Sequence, residues 1–400
     1  MNKLITITLF FFFALNTKAQ KSISLEDALE IVKNNHPNIV QQDLYIEQQR
    51  ILKTATSNQP GIQQPMLGAG YTFDEVGVAG TGIHSLYVTH SFNLPKVGKN
   101  KAVYQEELAK AGIYQKEASQ KELQRYVASL YQQLLYTKSR QQLNKQLVNS
   151  YKKIEQLAQK KVDLGEENAA TVLSLQTAQY KLSLEAMKYK QHFRVQLEKL
   201  KEYILDSTIT DIQDSVLSRP EQLIQTFDIK QHPLVQQIEQ HITVNNAQKK
   251  LIQDQLLPQI SWGFRTQMVQ LDFPNFGGQI GVNMPLLSKN VKAELKANEL
   301  DNRILAQNKN WQIQQLNSRQ KIAIENIKEF EAQIKRLETV ILPSLQKQQD
   351  FIEKSFQIGE LDYLNVLQNS QQIISIQKDY WLLLFQLNLA WIEYNSIASE

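Results

Sequence analysis

Three landmarks recur in the same order in the two halves of this chain, and that duplication constrains the fold more than any single motif. His36-Pro37-Asn38-Ile39 returns as His232-Pro233-Leu234-Val235, and Asn93-Leu94-Pro95 returns as Asn283-Met284-Pro285. Gly165-Glu166 with Val172-Leu173 returns as Gly359-Glu360 with Val366-Leu367. The copies are spaced by roughly 190 to 196 residues, which reads as two structural repeats. The first spans 20–207 and the second 208–400. Whatever one half builds, the other builds as well.

Glycine and proline mark where each repeat changes character. Eleven of the 14 glycines fall in two windows, Gly61–Gly98 and Gly263–Gly281, with six of the 10 prolines in or beside them. Inside these windows apolar residues alternate with polar ones. Leu86, Val88 and Phe92 oppose Ser85, Thr89 and Ser91; Ile260, Trp262, Phe264 and Met268 oppose Gln259, Ser261, Arg265 and Gln267. Period two is the signature of a strand with one apolar and one polar face. The expected strands are about 66–75 and 83–94 in the first repeat, and 259–271 and 277–285 in the second, each pair joined by a Gly-rich turn. Strands of about 9–11 residues with this pattern suit a membrane barrel. The same alternation also suits a half-buried sheet capping a soluble domain.

Outside the windows the period is helical. Ala323, Ile327, Phe330, Ile334, Leu337 and Ile341 form a coiled-coil seam, as do Leu123, Val127, Leu130 and Leu134, continued by Leu147, Tyr151, Ile154 and Ala158. The runs Asn100–Lys161 and Asn290–Phe356 predict helices on the order of 90–100 Å long. Pro343 is expected to kink the second run without ending it. Shorter helices are expected over about 24–57, 168–205, 220–256 and 362–397, the first capped by Ser24 with Asp27. The fold class is thus mainly α with a small β part, in duplicated helix–strand–strand–helix halves.

Charge and chemistry exclude much. With 44 Lys+Arg against 40 Asp+Glu, the net charge of +4 argues against a nucleic-acid partner. There is no Cys, hence no disulfide, thiolate site, Cys nucleophile or lipid anchor through Cys. No His-Glu-x-x-His, Gly-x-Ser-x-Gly or phosphate-cradling loop is present, so the chain reads as no enzyme, with no cofactor and no metal. His84 and His90 share a strand face but stand about 20 Å apart along it, too far to hold one ion. Residues 1–19 read as a secretory signal peptide, with Lys3 ahead of the apolar run Leu4–Leu15 and small residues before Gln20.

An exported chain with four amphipathic strands and very long helices has a closure problem. Four strands cannot close a barrel, and lipid does not tolerate an open sheet edge. If the strands enter a membrane, several copies must close one barrel, and the helices would continue its lumen as a tube. That is a conduit.

The opening Ser24-Leu25-Glu26-Asp27-Ala28-Leu29 with Asn34-Asn35-His36-Pro37 resembles the start of TolC-type outer membrane efflux proteins. Pro95 and Pro285 at the strand-to-helix transitions are similar too, as are the tip motifs Leu164-Gly165…Thr171-Val172-Leu173 and Ile358-Gly359…Asn365-Val366-Leu367. The resemblance covers the whole mature chain. It implies a homotrimer with a twelve-stranded β-barrel in outer membrane lipid and an α-barrel of coiled-coil helices reaching into the periplasm. It implies the exit duct of a tripartite efflux or type I secretion system, which meets a periplasmic adaptor (membrane fusion protein) and, indirectly, an inner-membrane pump of RND or ABC type. The tips would be about 162–172 and 357–366, with Gly165, Val172, Leu173, Gly359, Val366 and Leu367 at the adaptor contact. Glu166, Glu167, Thr171, Glu360, Asp362, Asn365 and Gln368 would border the tunnel entrance. Members often carry Asp where this chain has Thr171 and Asn365. The alternatives are a periplasmic adaptor, which needs only one hairpin, and a structural coiled-coil envelope protein, which leaves the strands unexplained.

Overall fold

A computed structural model describes residues 21–58, 65–73, 82–225, 227–269, 275–284 and 289–398. The expected signal peptide, most of both strand turns and Pro285 lie outside the described residues. The first repeat contains β1 (Lys21–Ile23), α1 (Leu25–Asn35), α2 (Pro37–Asn58), β2 (Met66–Phe73), β3 (Gly82–Phe92), α3 (Pro95–Asp163) and α4 (Ala169–Ile204). The second contains β4 (Ile209–Ile212), α5 (Pro233–Asp254), β5 (Gln259–Val269), β6 (Asn275–Asn283), α6 (Lys289–Arg336), α7 (Leu342–Gln357) and α8 (Tyr363–Ile397).

Two expected helices are corrected. The stretch 24–57 is two helices, because Pro37 has no N–H to continue α1 and instead opens α2. The start at Ser24 holds: its Oγ accepts from the Asp27 N–H, the first half of a capping box, and donates to the Asp27 carboxylate. The stretch 220–256 becomes helical only at Pro233, after a 3₁₀ turn over Ile229–Gln231. His232 supplies the cap, its Nδ1 accepting from the Leu234 N–H. At Pro343 the helical path continues through a π-helical turn, Leu337–Ile341, in which Leu342 N–H bonds Leu337 C=O. The wider turn accommodates the residue that cannot donate.

The chain forms two compact units, and each draws on both repeats. The first comprises the described residues of 1–31 with 127–219 and 333–386. Its core packs the seam residues Leu147, Tyr151 and Ala158 against Leu175, Phe356 and Val366. Here β1 pairs in parallel with β4, Lys21 opposite Ile209 and Ile23 opposite Ile212. Lys21 Nζ bonds Asp206 at 2.5 Å beside this ribbon, and the buried Tyr131 hydroxyl donates to Asp214 at 2.7 Å. Burial and that carboxylate hold the Tyr131 phenol above its ordinary range.

The second unit comprises 32–126 and 220–332 with the described residues of 387–400. Its four-stranded sheet runs in the order β2-β3-β5-β6, antiparallel throughout. The central pair, β3 with β5, joins strands of different repeats, from Ile83 opposite Val269 to Phe92 opposite Ile260. Between α5 and α6, buried Asn245 and Asn298 each donate Nδ2 to the other's main-chain carbonyl, at 2.9 and 3.1 Å. A pair of carboxamides that satisfy one another's backbone fixes the helix register, since a slip would leave buried polar groups unpaired.

Candidate functional site: the strand sheet and the helix-hairpin ends

Strand register sorts the sheet into two faces, because residues opposite each other in antiparallel strands share a face. Leu67, Val88 and Phe264 align across β2, β3 and β5 on one face, as do Tyr71, His84 and Met268. His90, Trp262 and Ile280 align on the same face across β3, β5 and β6. This face is apolar and uncovered among the described residues: Ile280 is 86% exposed, and Leu67, Leu86, Phe264, Phe276 and Val282 are exposed too. The two histidines lie among aromatics on it, His84 against Tyr71 at 4.8 Å between ring centroids and His90 against Trp262 at 6.0 Å.

The opposite face carries Ser85, Tyr87, Thr89, Ser91, Gln259, Ser261, Arg265, Gln267, Gln279 and Asn283. Gly68, Gly70, Gly263, Gly277 and Gly281 also lie there by register. Gly68 is demanded by close approach: a Cβ would stand 2.3 Å from Cζ of the Tyr87 ring opposite. Small residues concentrated on one face let a sheet curve towards it, so the polar side is the one suited to be concave. α3 starts at Pro95, with Asn93 and Leu94 between it and the end of β3, and Val97 N–H is bonded to Leu94 C=O at 2.9 Å.

The two hairpin ends, both in the first unit, share one backbone design. After α3, Gly165 N–H bonds Val162 C=O and Glu166 N–H bonds Lys161 C=O. After α7, Gly359 N–H bonds Phe356 C=O and Glu360 N–H bonds Ser355 C=O. This is the Schellman closure, which needs a left-handed residue, and the glycines have φ of +76° and +81°. Each following helix is capped three residues on. Asn168 Oδ1 accepts from Ala170 N–H at 3.0 Å, and Asp362 Oδ1 accepts from Asn365 N–H at 2.8 Å. Nothing in the periodicity of the sequence singled out these caps, although Asn and Asp just before an apolar run are their usual signal.

Side chains at the ends are placed as follows. Val172 and Val366 are buried in the core of the unit, Leu173 is exposed and Leu367 is half-buried. Thr171 is buried and donates to Glu167 at 3.0 Å, and the same carboxylate accepts from Asn168 N–H. Glu167 is therefore committed to the turn, whereas Glu166, Glu360 and Asp362 have exposed side chains, as do Asn365 and Gln368. Lys161 ties the two ends together: Nζ donates to Phe356 C=O at 2.8 Å and stands 4.8 Å from the centre of the Phe356 ring. Among the described residues no helix is long and apolar enough to cross a membrane, and no group of His and carboxylate side chains could hold a metal ion.

Solved structures of outer membrane channels match this arrangement of antiparallel sheet and long duplicated helix hairpins in fold. The chain is similar to CusC, whose crystal structures describe transmembrane channel formation, at a TM-score of 0.79 and 15% identity, over 94% of this chain and 92% of that one. It is similar to the outer membrane protein VceC of Vibrio cholerae (TM-score 0.74, 13% identity, 93% and 95% covered). The outer membrane channel CmeC of Campylobacter jejuni also matches (TM-score 0.71, 14% identity, 93% and 85% covered). No protein-family model and no curated protein matches the chain by sequence.

Proposed function

We propose that this protein is an outer membrane exit duct, carrying solutes out of the periplasm as part of a tripartite efflux or type I secretion system. The observation that carries the reading is the sheet. Among the described residues its apolar face is uncovered, its polar face is rich in glycine, and the outer edges of β2 and β6 have no strand partner. In lipid those edges must be satisfied by other copies, and a homotrimer would close a barrel of twelve strands. The likeness in fold to outer membrane channels along almost the whole chain supports the same reading.

In this reading the helices stand in the periplasm, and the hairpin ends receive a periplasmic adaptor and, through it, an inner-membrane pump. Gly165, Leu173, Gly359 and Leu367 are the proposed contact, with Val172 and Val366 supporting it from beneath. Glu166, Glu360, Asp362, Asn365 and Gln368 are the proposed entrance border. Thr171 and Glu167 hold the first turn in shape.

Fractionation tests the proposal. The expected result is a detergent-extractable trimer in the outer membrane fraction; recovery as a soluble monomer from the periplasm would overturn it. Charged substitutions at Gly165 and Gly359 together are expected to abolish export with the trimer intact, and full export by that double variant would remove the adaptor assignment.

A further inference from the structure

The described residues of all four sheet strands contain one Asp, Glu, Lys or Arg: Arg265, near the middle of β5. Its register neighbours are Tyr87 on β3 and Gly277 on β6, which places it on the polar, glycine-rich face. Gly277 offers no side chain, and a Cβ built there would meet nothing within 4 Å, so the space on that side is open. Arg265 is exposed, and among the described residues no carboxylate pairs with it. The neighbours on its face are hydroxyls, carboxamides, a phenol and glycines, none charged at neutral pH.

We propose that Arg265 is the charge-selecting residue of the strand-lined part of the duct, and that this lumen favours solutes carrying carboxylate, phosphate or sulfonate groups over cations. The inference rests on the exit-duct reading above. If several copies close one barrel, Arg265 repeats at one level as a ring of guanidinium groups in a wall whose described strand residues are otherwise without Asp, Glu, Lys or Arg. Lipid exposure is excluded for it, because a cation on the lipid face of a barrel strand is most costly near mid-membrane. Like charges facing one water-filled passage sum their potentials, and within about 8 Å at physiological ionic strength that potential is only partly screened. Guanidinium adds geometry to charge, since its fork of N–H donors matches the oxygens of carboxylates and phosphates. A bare divalent cation meets only repulsion at this ring.

The absence of Cys makes the test clean, because a single introduced thiol is the only one in the chain. R265C is expected to react in intact cells with membrane-impermeant methanethiosulfonates, and F264C, one residue away on the apolar face, is expected to stay unmodified. In planar bilayers under a KCl gradient, R265Q is expected to shift the chloride-to-potassium permeability ratio about threefold towards potassium, and R265E further. Attaching a quaternary ammonium to R265C should restore the wild-type reversal potential, and attaching a sulfonate should move it past that of R265Q. Modification of F264C with R265C protected would overturn the face assignment. Conducting pores with the same reversal potential in wild type, R265Q and R265E would overturn the proposal and leave the duct reading standing. A trimer that conducts nothing would overturn both.

Discussion

At the first hairpin end Leu173 stands 63% exposed beside a Val172 that is buried; at the second, Leu367 is half-buried beside a Val366 that is 1% exposed. Both ends close through the same two backbone bonds, turn at a left-handed glycine and restart on an Asx cap. Their side-chain ties differ. Glu167 is held by Thr171 and by a backbone N–H at the first, whereas at the second the corresponding positions are Leu361 and Asn365, which cannot form that hydroxyl–carboxylate tie. Duplication has kept what the backbone requires and released what faces solvent. One fold therefore presents two chemically distinct surfaces.

The sharpest way to break that comparison is to place a charge in each layer. Val366→Asp puts an unpaired carboxylate into the core and is expected to cost about 3–5 kcal/mol. Leu173→Asp changes an exposed side chain and should stay within about 0.5 kcal/mol of wild type while reducing export. Thermal unfolding of the two purified variants reads the difference, and equal destabilisation would erase the distinction between supporting and contacting residues.

A smaller effect tests the shared part. A Cβ at Gly165 meets nothing within 4 Å, and one at Gly359 meets only Lys161 Nζ at 3.8 Å, so space is no obstacle at either. Gly165→Ala and Gly359→Ala are each expected to cost about 1–2 kcal/mol through left-handed backbone strain, with Asn restoring much of it. Denaturant titration should give nearly equal losses. A loss at one end only would mean that the two closures are not equivalent.

The smallest effect concerns the other duplicated motif. His232 is buried, with Nδ1 accepting from Leu234 N–H and Nε2 3.2 Å from Ser396 C=O, so the neutral ring with its proton on Nε2 fits both contacts. Burial is the main cause that lowers its pKa, and Lys121 and Arg319 act in the same direction. His36 caps α2 in the same way, its Nδ1 3.3 Å from Asn38 N–H, and is also lowered by its lesser burial. A lowered folded pKa means that the unfolded chain binds more protons in acid. The stabilisation is thus complete above the ordinary value of 6.5 and declines as pH falls below it. Melting temperatures taken from pH 7.5 down to 5 should fall less in His232→Asn, which caps without titrating, and less markedly so in the equivalent variant at His36. Parallel pH profiles in wild type and His232→Asn would rule out this linkage.

Much of this is legible in the amino-acid sequence. The alternation around Leu86–Phe92 and Ile260–Met268 marked the strands because each is long enough to show a period, and the seam at Ala323–Ile334 marked a buried helix face for the same reason. The β1–β4 ribbon was not legible: three and four residues show no period, and their parallel pairing joins the start of one repeat to the start of the other. Nor was the start of α5, which the sequence put near 220 while the His232 cap and Pro233 set the actual boundary. The burial of Thr171 also escaped a reading by motif, which says which residues lie near a turn and not which way each side chain points.

The seam between β3 and β5 reaches furthest. It joins the second strand of one repeat to the first strand of the next. Closure between neighbouring molecules would ask the same of β6 and β2, again a second strand meeting a first. A three-molecule assembly of this chain would thus be, at the level of strand joins, a ring of six nearly equal parts, and an ancestor half this size could have built it from six separate polypeptides. Fusing those parts in pairs lets alternate positions around the ring evolve different chemistry without altering how the ring closes.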